Sequence, residues 1–141
     1  MKTKIVIATH GKFAEGILGS AELILGKQDN IEVINCYLDS EENYDSIFNE
    51  VVQKHDYQKE NLLVITDLLG GSVNNEFLKY VGRPNFYLIT GLNLPLLIEL
   101  VSKINAEGET KTIIKRVLFE TKGTIQLCND LIDTEIEEEN F

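Results

Sequence analysis

Two apolar runs, each ending in a polar residue and a glycine-containing turn, constrain the fold of this chain most strongly. Residues 4–9 lead into His10-Gly11, and residues 61–67 end in Asp67 and continue into Leu68-Leu69-Gly70-Gly71-Ser72. The first run is apolar without alternation and the second is the most apolar in the chain, as in strands that are buried on both faces of a parallel sheet. A helical pattern follows each turn, which predicts two strand–helix units of an α/β fold.

The rest of the chain continues this alternation of strands and helices. We predict two further strands over residues 31–38 and 86–90, and helices over residues 13–26, 73–81 and 96–104, with another that begins near residues 39–42. For residues 109–129, apolar residues at helical spacing favour a helix over a hairpin turned at Lys122-Gly123. The predicted fold is a doubly wound, mostly parallel four-stranded sheet with helices on both faces, and the strand order 2-1-3-4 would make strands one and three neighbours.

Three helices are predicted in more detail. Ser40 would cap the second helix and Ser72 the third, because serine side chains accept hydrogen bonds from the free N–H groups of a first turn. In the third helix, Phe77 and Leu78 should face inward. The inner face of the first helix should consist of residues at helical spacing, namely Phe13, Ile17, Ser20 or Ala21, Ile24 and Leu25.

The composition indicates one soluble globular domain. The chain has 141 residues, of which 43% are hydrophobic and 26% are charged. No apolar stretch approaches the roughly 18 residues of a membrane span, and the segment before the first strand is too short for a signal peptide. Cys36 and Cys128 lack the spacing of a metal site, so reduced thiols are expected. These features predict a cytoplasmic protein that is not inserted in a membrane.

The net charge is concentrated towards the C-terminus. Residues 130–141 carry six acids and no base, which leaves −4 of the total −10 for the other residues. We therefore divide the chain into a domain over residues 1–129 and an acidic tail over residues 130–141. Since the sequence contains no basic stripe, nucleic acid is not expected as a partner, and a basic protein surface is a better candidate.

His10 and Asp67 are the candidate functional pair. If strands one and three are neighbours, both residues stand at the carboxyl ends of strands, where open α/β sheets bind their ligands. A carboxylate that accepts a hydrogen bond from one ring nitrogen fixes the histidine tautomer and leaves the other nitrogen free to react. Such a histidine could take up a phosphoryl group, and Asp67 would stabilise the positively charged ring that results.

Smaller residues around this pair suit an anion site. Gly11 gives a bulky group room to approach, and Gly70, Gly71 and Ser72 offer backbone N–H groups and a hydroxyl at a helix N-terminus. Three candidate rim residues either line the site or serve the fold: Thr9, Thr66 and Asn93. His55 stands among polar residues and is interpreted as a solvated helix residue, so no metal site and no cofactor is predicted.

Other histidine and aspartate chemistries fit the sequence less well. A phosphohistidine phosphatase or mutase needs an arginine directly before the histidine, where Thr9 stands, and the chain has only Arg83 and Arg116. A response-regulator receiver needs an acidic pair after the first strand, which Thr9-His10 does not supply. A non-catalytic regulatory module that responds to its phosphorylation state stays open, because it would share the site without requiring fast turnover.

Three motifs, in this order, resemble the enzyme IIA component of the mannose-family phosphotransferase system: residues 5–16, 67–74 and 91–95. The similarity extends over residues 3–130. It implies that the histidine phosphocarrier protein phosphorylates His10, which then passes the phosphoryl group to a IIB component and so to an incoming sugar. It also implies that Asp67 orients His10, and that Ser72 and nearby backbone amides contact the phosphoryl group.

The resemblance further implies a homodimer in which a C-terminal segment, here residues 130–137, adds an antiparallel strand to the partner's sheet. IIB would be a separate protein, and the chain could associate with the membrane subunits of a transporter without entering the membrane. Val73 stands where the family often has proline. The sequence does not determine the sugar, and a phosphoryl donor for dihydroxyacetone kinase is the alternative within the same resemblance.

Overall fold

Strands and helices alternate along the part of the chain that the computed structural model describes, residues 1–38 and 43–135. In chain order the elements are β1 (Lys2–His10), α1 (Phe13–Leu25), β2 (Ile31–Cys36), α2 (Tyr44–Lys54), β3 (Glu60–Thr66), α3 (Ser72–Leu78), β4 (Phe86–Thr90), α4 (Leu94–Lys103), α5 (Thr110–Thr121) and α6 (Cys128–Glu135). The predicted strands are confirmed. So is the choice of a helix rather than a hairpin, because α5 occupies the segment in question.

The four strands of the sheet lie parallel in the order β2-β1-β3-β4, which confirms the predicted 2-1-3-4 order. In the centre, Val6 of β1 is opposite Glu32 of β2 and Val64 of β3. At the carboxyl end of β1, His10 is opposite Cys36. The chain leaves β1 for the edge strand β2 and returns to β3 on the other side of β1. The carboxyl ends of β1 and β3 therefore form the switch point of the sheet.

A hydrophobic core covers each face of the sheet, as predicted. Ile5 and Ile7 pack towards α1, α4 and α5, whereas Val6 and Ala8 pack towards α2 and α3. The alternation arises because successive side chains of a strand point to opposite faces. All four side chains are fully buried. Burial on both faces explains why this strand is apolar throughout.

The inner face of α1 differs from the prediction. Phe13 and Ile24, which were predicted to face inward, are exposed, whereas Ile17 and Ala21 are buried as predicted. The buried residues of the helix are Ala14, Ile17 and Ala21. Two of these are alanines, whose small side chains let the helix lie close to the sheet, so the larger apolar side chains are displaced to its flanks. Spacing identifies an apolar stripe but not which of its edges contacts the sheet.

Helix starts also differ from the prediction. Ser40, the predicted cap of α2, lies outside the described residues, and the residue before α2 is Asn43, whose side-chain oxygen accepts the Ser46 N–H at 3.2 Å. The prediction that Ser72 caps α3 is wrong, because Gly71 precedes the helix and Ser72 is its first residue. Leu78 is exposed rather than inward, since α3 ends there after only 7 residues.

The C-terminal helix bears on two predictions that stay open. α6 crosses the predicted boundary between residues 129 and 130, and residues 136–141 lie outside the described part of the chain. In this single chain residues 130–135 are helical. The division into a domain and a tail, and the exchange of a strand over residues 130–137 between two copies, stay predictions. Within the two described ranges, no helix has both the length and the apolar character needed to cross a bilayer.

Candidate functional site

His10 and Asp67 are in direct contact at the switch point. The His10 backbone N–H donates to Asp67 Oδ2 at 2.9 Å, and the His10 ring nitrogen Nδ1 lies 2.8 Å from the same oxygen. The Leu68 N–H donates to the other carboxylate oxygen, Oδ1, at 3.0 Å. Two backbone donors therefore hold the carboxylate in position for the ring. The side chain of Asp67 is only 12% exposed, whereas that of His10 is 41% exposed and accessible.

This geometry determines which ring nitrogen of His10 is free. A carboxylate only accepts hydrogen bonds, so in the neutral ring the proton is assigned to Nδ1 and the lone pair to Nε2. Burial alone would raise the pKa of Asp67, but the hydrogen bonds from the His10 backbone and ring outweigh burial and hold this pKa below its usual value of 3.8. Asp67 is therefore ionised at neutral pH and can balance a positive charge on the ring.

The turn after β3 brings α3 against the ring of His10. Ser72 Oγ lies 3.4 Å from His10 Nε2, the free nitrogen. Gly71 suits this tight turn, because a Cβ there would lie 3.1 Å from Leu68 Cγ and 3.2 Å from the Leu68 carbonyl oxygen. Gly70 has a φ of +80°, a left-handed conformation that favours glycine. The two glycines thus place a hydroxyl and the first N–H groups of a helix beside the reactive nitrogen.

The polar groups of the three predicted rim residues are bonded within the fold. The Thr9 hydroxyl accepts the Ala14 N–H of α1 at 2.8 Å, and the Thr66 hydroxyl lies 2.7 Å from Asn74 Oδ1 in α3. Asn93 precedes α4 and accepts a backbone N–H of its first turn at 3.0 Å. These side chains support the turns after β1, β3 and β4. A direct contact between any of them and a ligand stays a prediction.

Tyr37 is a neighbour of His10 that the sequence reasoning missed. It follows β2, and its ring centroid lies 5.3 Å from that of His10 with 33° between the ring planes. Nearby, Gly11 has a φ of +58° and donates its N–H to the Cys36 carbonyl at 2.8 Å, which joins the turn after β1 to the end of β2. No motif marks Tyr37. The only available signal was the strand order, which places the residue after β2 beside the end of β1.

His55 has a structural role rather than the solvated position that was predicted. It follows α2, is half-buried, and its Nε2 lies 2.8 Å from the Glu60 carbonyl oxygen at the start of β3. Its ring also packs edge-on against Tyr57, with 4.6 Å between centroids. Among the residues that the structure describes, no group of three or more His, Cys, Asp or Glu side chains could hold a metal ion.

The fold and the site define an open α/β protein in which a carboxylate at the switch point holds a histidine with one ring nitrogen accessible. Comparison with known proteins identifies the family. Residues 4–118 match the EIIA-man family, described as the PTS system fructose IIA component. The chain belongs to this family of IIA components of the phosphotransferase system (PTS), which confirms the resemblance found in the sequence.

Individual relatives and solved structures agree with this family. The chain is 35% identical over 103 residues to the PTS system mannose-specific EIIAB component of Escherichia coli K12. The aligned region covers 70% of this chain and only 31% of that relative's length. A Klebsiella pneumoniae structure, described as a candidate phosphoenolpyruvate-dependent sugar PTS permease, has a TM-score of 0.88 and 43% identity, covering 94% of this chain and 95% of that one. The structure of PTS component EIIA from Streptococcus agalactiae has a TM-score of 0.73 and 29% identity, covering 91% of this chain and 98% of that one.

Proposed function

We propose that this protein is a phosphocarrier of a sugar phosphotransferase system and that His10 Nε2 carries the phosphoryl group. A histidine phosphocarrier protein donates the group to His10, and a IIB component accepts it on the way to an incoming sugar. The observation that supports this proposal is the different role of the two ring nitrogens. Nδ1 bonds Asp67 at 2.8 Å, whereas Nε2 faces the Ser72 hydroxyl at 3.4 Å and keeps its lone pair.

The transfer requires no net proton movement. The lone pair of His10 Nε2 attacks the phosphorus of the donor's phosphohistidine in line, and a new P–N bond forms. The donor's P–N bond breaks, and its electron pair returns to the donor ring. Because the proton on Nδ1 stays in place, the phosphorylated ring is an imidazolium whose positive charge lies beside the ionised Asp67. The same steps, with His10 as donor, deliver the group to IIB.

The phosphoryl oxygens would bind at the turn after β3 and the first turn of α3. The Ser72 hydroxyl is next to Nε2, and the first N–H groups of a helix have no acceptor within the helix. Gly70 and Gly71 place no side chain at the end of that turn next to α3, and Gly11 places none directly after His10. All of these donors are neutral. Their modest strength suits a phosphoryl group that must also leave.

Docking of the two protein partners would use the apolar side chains that follow β1, β2 and β3 at the His10 end of the sheet. Five of them are exposed: Phe13, Tyr37, Leu38, Leu68 and Leu69. The net charge of −10 favours a donor with a basic surface. We also propose that the protein is of the mannose type, is cytoplasmic and forms a homodimer. The 35% identity to the mannose-specific relative supports the mannose type. No contact in the site favours a donor for dihydroxyacetone kinase or a non-catalytic sensor.

Intact mass spectrometry tests the proposal. Incubated with phosphoenolpyruvate, enzyme I and the histidine phosphocarrier protein, the wild-type chain should gain one phosphoryl group that is lost in acid. His10→Ala should gain none and keep its circular dichroism spectrum, because the residue lies at the carboxyl end of β1 and its side chain is accessible. His55→Ala is the matched control, since it removes the other of the 2 histidines and should still be phosphorylated. A wild-type chain that stays unmodified with a competent donor would refute the proposal.

A further inference from the structure

An aromatic ring lies beside that of His10 at a tilt, and its residue has a backbone conformation that is unusual for its type. Tyr37 has a φ of +63°, in the left-handed region that disfavours bulky side chains. Among the described residues other than glycine, only Asn85 shares a positive φ, and asparagine tolerates it. The conformation of Tyr37 places its ring centroid 5.3 Å from that of the imidazole, with 33° between the planes.

Further aromatic rings support Tyr37 from the side of the core. Its ring centroid is 4.9 Å from that of Tyr44 in α2, the centroid of Tyr44 is 6.0 Å from that of Phe48, and the centroid of Phe48 is 4.6 Å from that of Phe77. The last three side chains are buried in the core beneath α2 and α3. Phe77 belongs to α3, the helix whose first residue faces the free nitrogen of His10. The rings therefore connect Tyr37 and α3, the two neighbours of the imidazole, through one packed core.

We propose that Tyr37 is a positioning residue for His10 in phosphoryl transfer, an inference that rests on the proposed function. Asp67 holds the ring through Nδ1 alone, and tilting of the ring about that hydrogen bond would move Nε2 away from Ser72. An aromatic ring in contact with the imidazole restricts this tilting and keeps Nε2 directed at the incoming phosphorus. Tyr37 is itself 45% exposed and the side chain of His10 is 41% exposed, so the contact between their rings leaves the site open.

Two substitutions separate the effect of the ring from that of the backbone. Tyr37→Asn removes the ring and suits the left-handed conformation, whereas Tyr37→Phe keeps both the ring and the strain. With saturating donor, Tyr37→Asn should transfer the phosphoryl group about fivefold more slowly than wild type, the factor expected for one lost aromatic contact. Tyr37→Phe should keep the wild-type rate. Carbon-13 relaxation of the His10 ring C–H groups should show increased ring mobility in Tyr37→Asn alone.

Three kinetic results would overturn the inference. The first is a wild-type transfer rate in Tyr37→Asn, and the second is a transfer rate in Tyr37→Phe that falls as much as in Tyr37→Asn. The third is a defect of Tyr37→Asn that disappears at saturating donor, which would assign Tyr37 to docking. The relaxation measurement needs no phosphoryl group. Unchanged ring mobility in Tyr37→Asn would therefore refute this inference alone, whereas a wild-type chain that takes up no phosphoryl group would refute the proposed function.

Discussion

Replacing Asp67 with asparagine tests how far the phosphorylated state depends on the carboxylate. The substitution preserves the size of the side chain, but one amide oxygen must then serve three donors: the N–H of His10, its ring Nδ1–H and the N–H of Leu68. Whichever way the amide turns, its NH₂ group faces at least one of these donors. The loss is larger after phosphorylation, because the imidazolium ring then also lacks its counter-charge.

The magnitude follows from the hydrogen bond between the ring and the carboxylate. A hydrogen bond to a charged group contributes about 1.5–3 kcal/mol. At about 1.4 kcal/mol for each factor of ten, this whole contribution corresponds to roughly 10- to 150-fold. Because the unphosphorylated ring also loses its bond to Asp67, this is the upper limit of the shift of the phosphoryl equilibrium towards the donor in Asp67→Asn. Solvent should weaken this effect in part, since the side chain of Asp67 is only 12% exposed but that of His10 is 41% exposed.

The equilibrium is measured directly by mixing phosphorylated donor and acceptor at equal concentrations and determining both phosphorylated fractions by mass spectrometry. Asp29→Asn is the matched control, because it removes the same charge from an exposed position before β2 and should leave the equilibrium unchanged. A wild-type equilibrium in Asp67→Asn would refute the reasoning that the carboxylate stabilises the charged ring. A slower approach to an unchanged equilibrium would limit Asp67 to orienting the ring.

Other contacts predict smaller or separable effects. Ser72→Ala removes one neutral hydrogen bond beside Nε2, so initial transfer rates should fall about two- to tenfold while the melting temperature is unchanged. The lowered pKa of Asp67 means that its ionised form stabilises the fold above the usual value of 3.8 and that this stabilisation is lost as the pH falls below it. In urea titrations, the difference in free energy of unfolding between wild type and Asp67→Asn should therefore shrink as the pH falls through and below 3.8, and a constant difference over that range would contradict the assignment. Asn61 is buried and its amide donates to hydroxyls of β1 and α5, so Asn61→Leu should lower the free energy of unfolding by about 1–3 kcal/mol without abolishing phosphoryl uptake. His55→Ala should lower it by about 1 kcal/mol, with transfer rates like those of wild type.

The pairing of His10 with Asp67 could be predicted because strands buried on both faces leave unbroken apolar runs, whose ends are visible in the sequence. Each run stops at a polar residue before a glycine turn, and the observed strands end at His10 and Thr66, each within one residue of the predicted end. The strand order 2-1-3-4 was a hypothesis taken from a common order of doubly wound sheets, because residue patterns do not determine it, and the structure confirms it. The pair needed only these two levels of information, namely the strand ends and their order.

Features that depend on how closely neighbouring elements pack, rather than on the order of the strands, could not be predicted in this way. Phe13 fits the apolar spacing of α1, but it is exposed because the alanines of that helix pack against the sheet. Tyr37 was missed because its position depends on a left-handed φ, which local preferences argue against for tyrosine. In both cases the packing of neighbouring elements overrides the local pattern, and no residue spacing records that packing.

The wrong prediction for Ser72 has a consequence for the proposed mechanism. A serine that caps a helix uses its side-chain oxygen to accept an N–H of that helix. In the structure Gly71 takes the position before α3 and makes no side-chain cap, so the Ser72 hydroxyl is directed instead to His10 Nε2, at 3.4 Å. Both the hydroxyl and the N–H groups of the first turn then remain available at the place where a phosphoryl group on Nε2 would lie. Ser72→Ala should therefore slow transfer and leave the helix intact. If Ser72 capped α3, the substitution would instead destabilise the helix and leave the transfer rate unchanged.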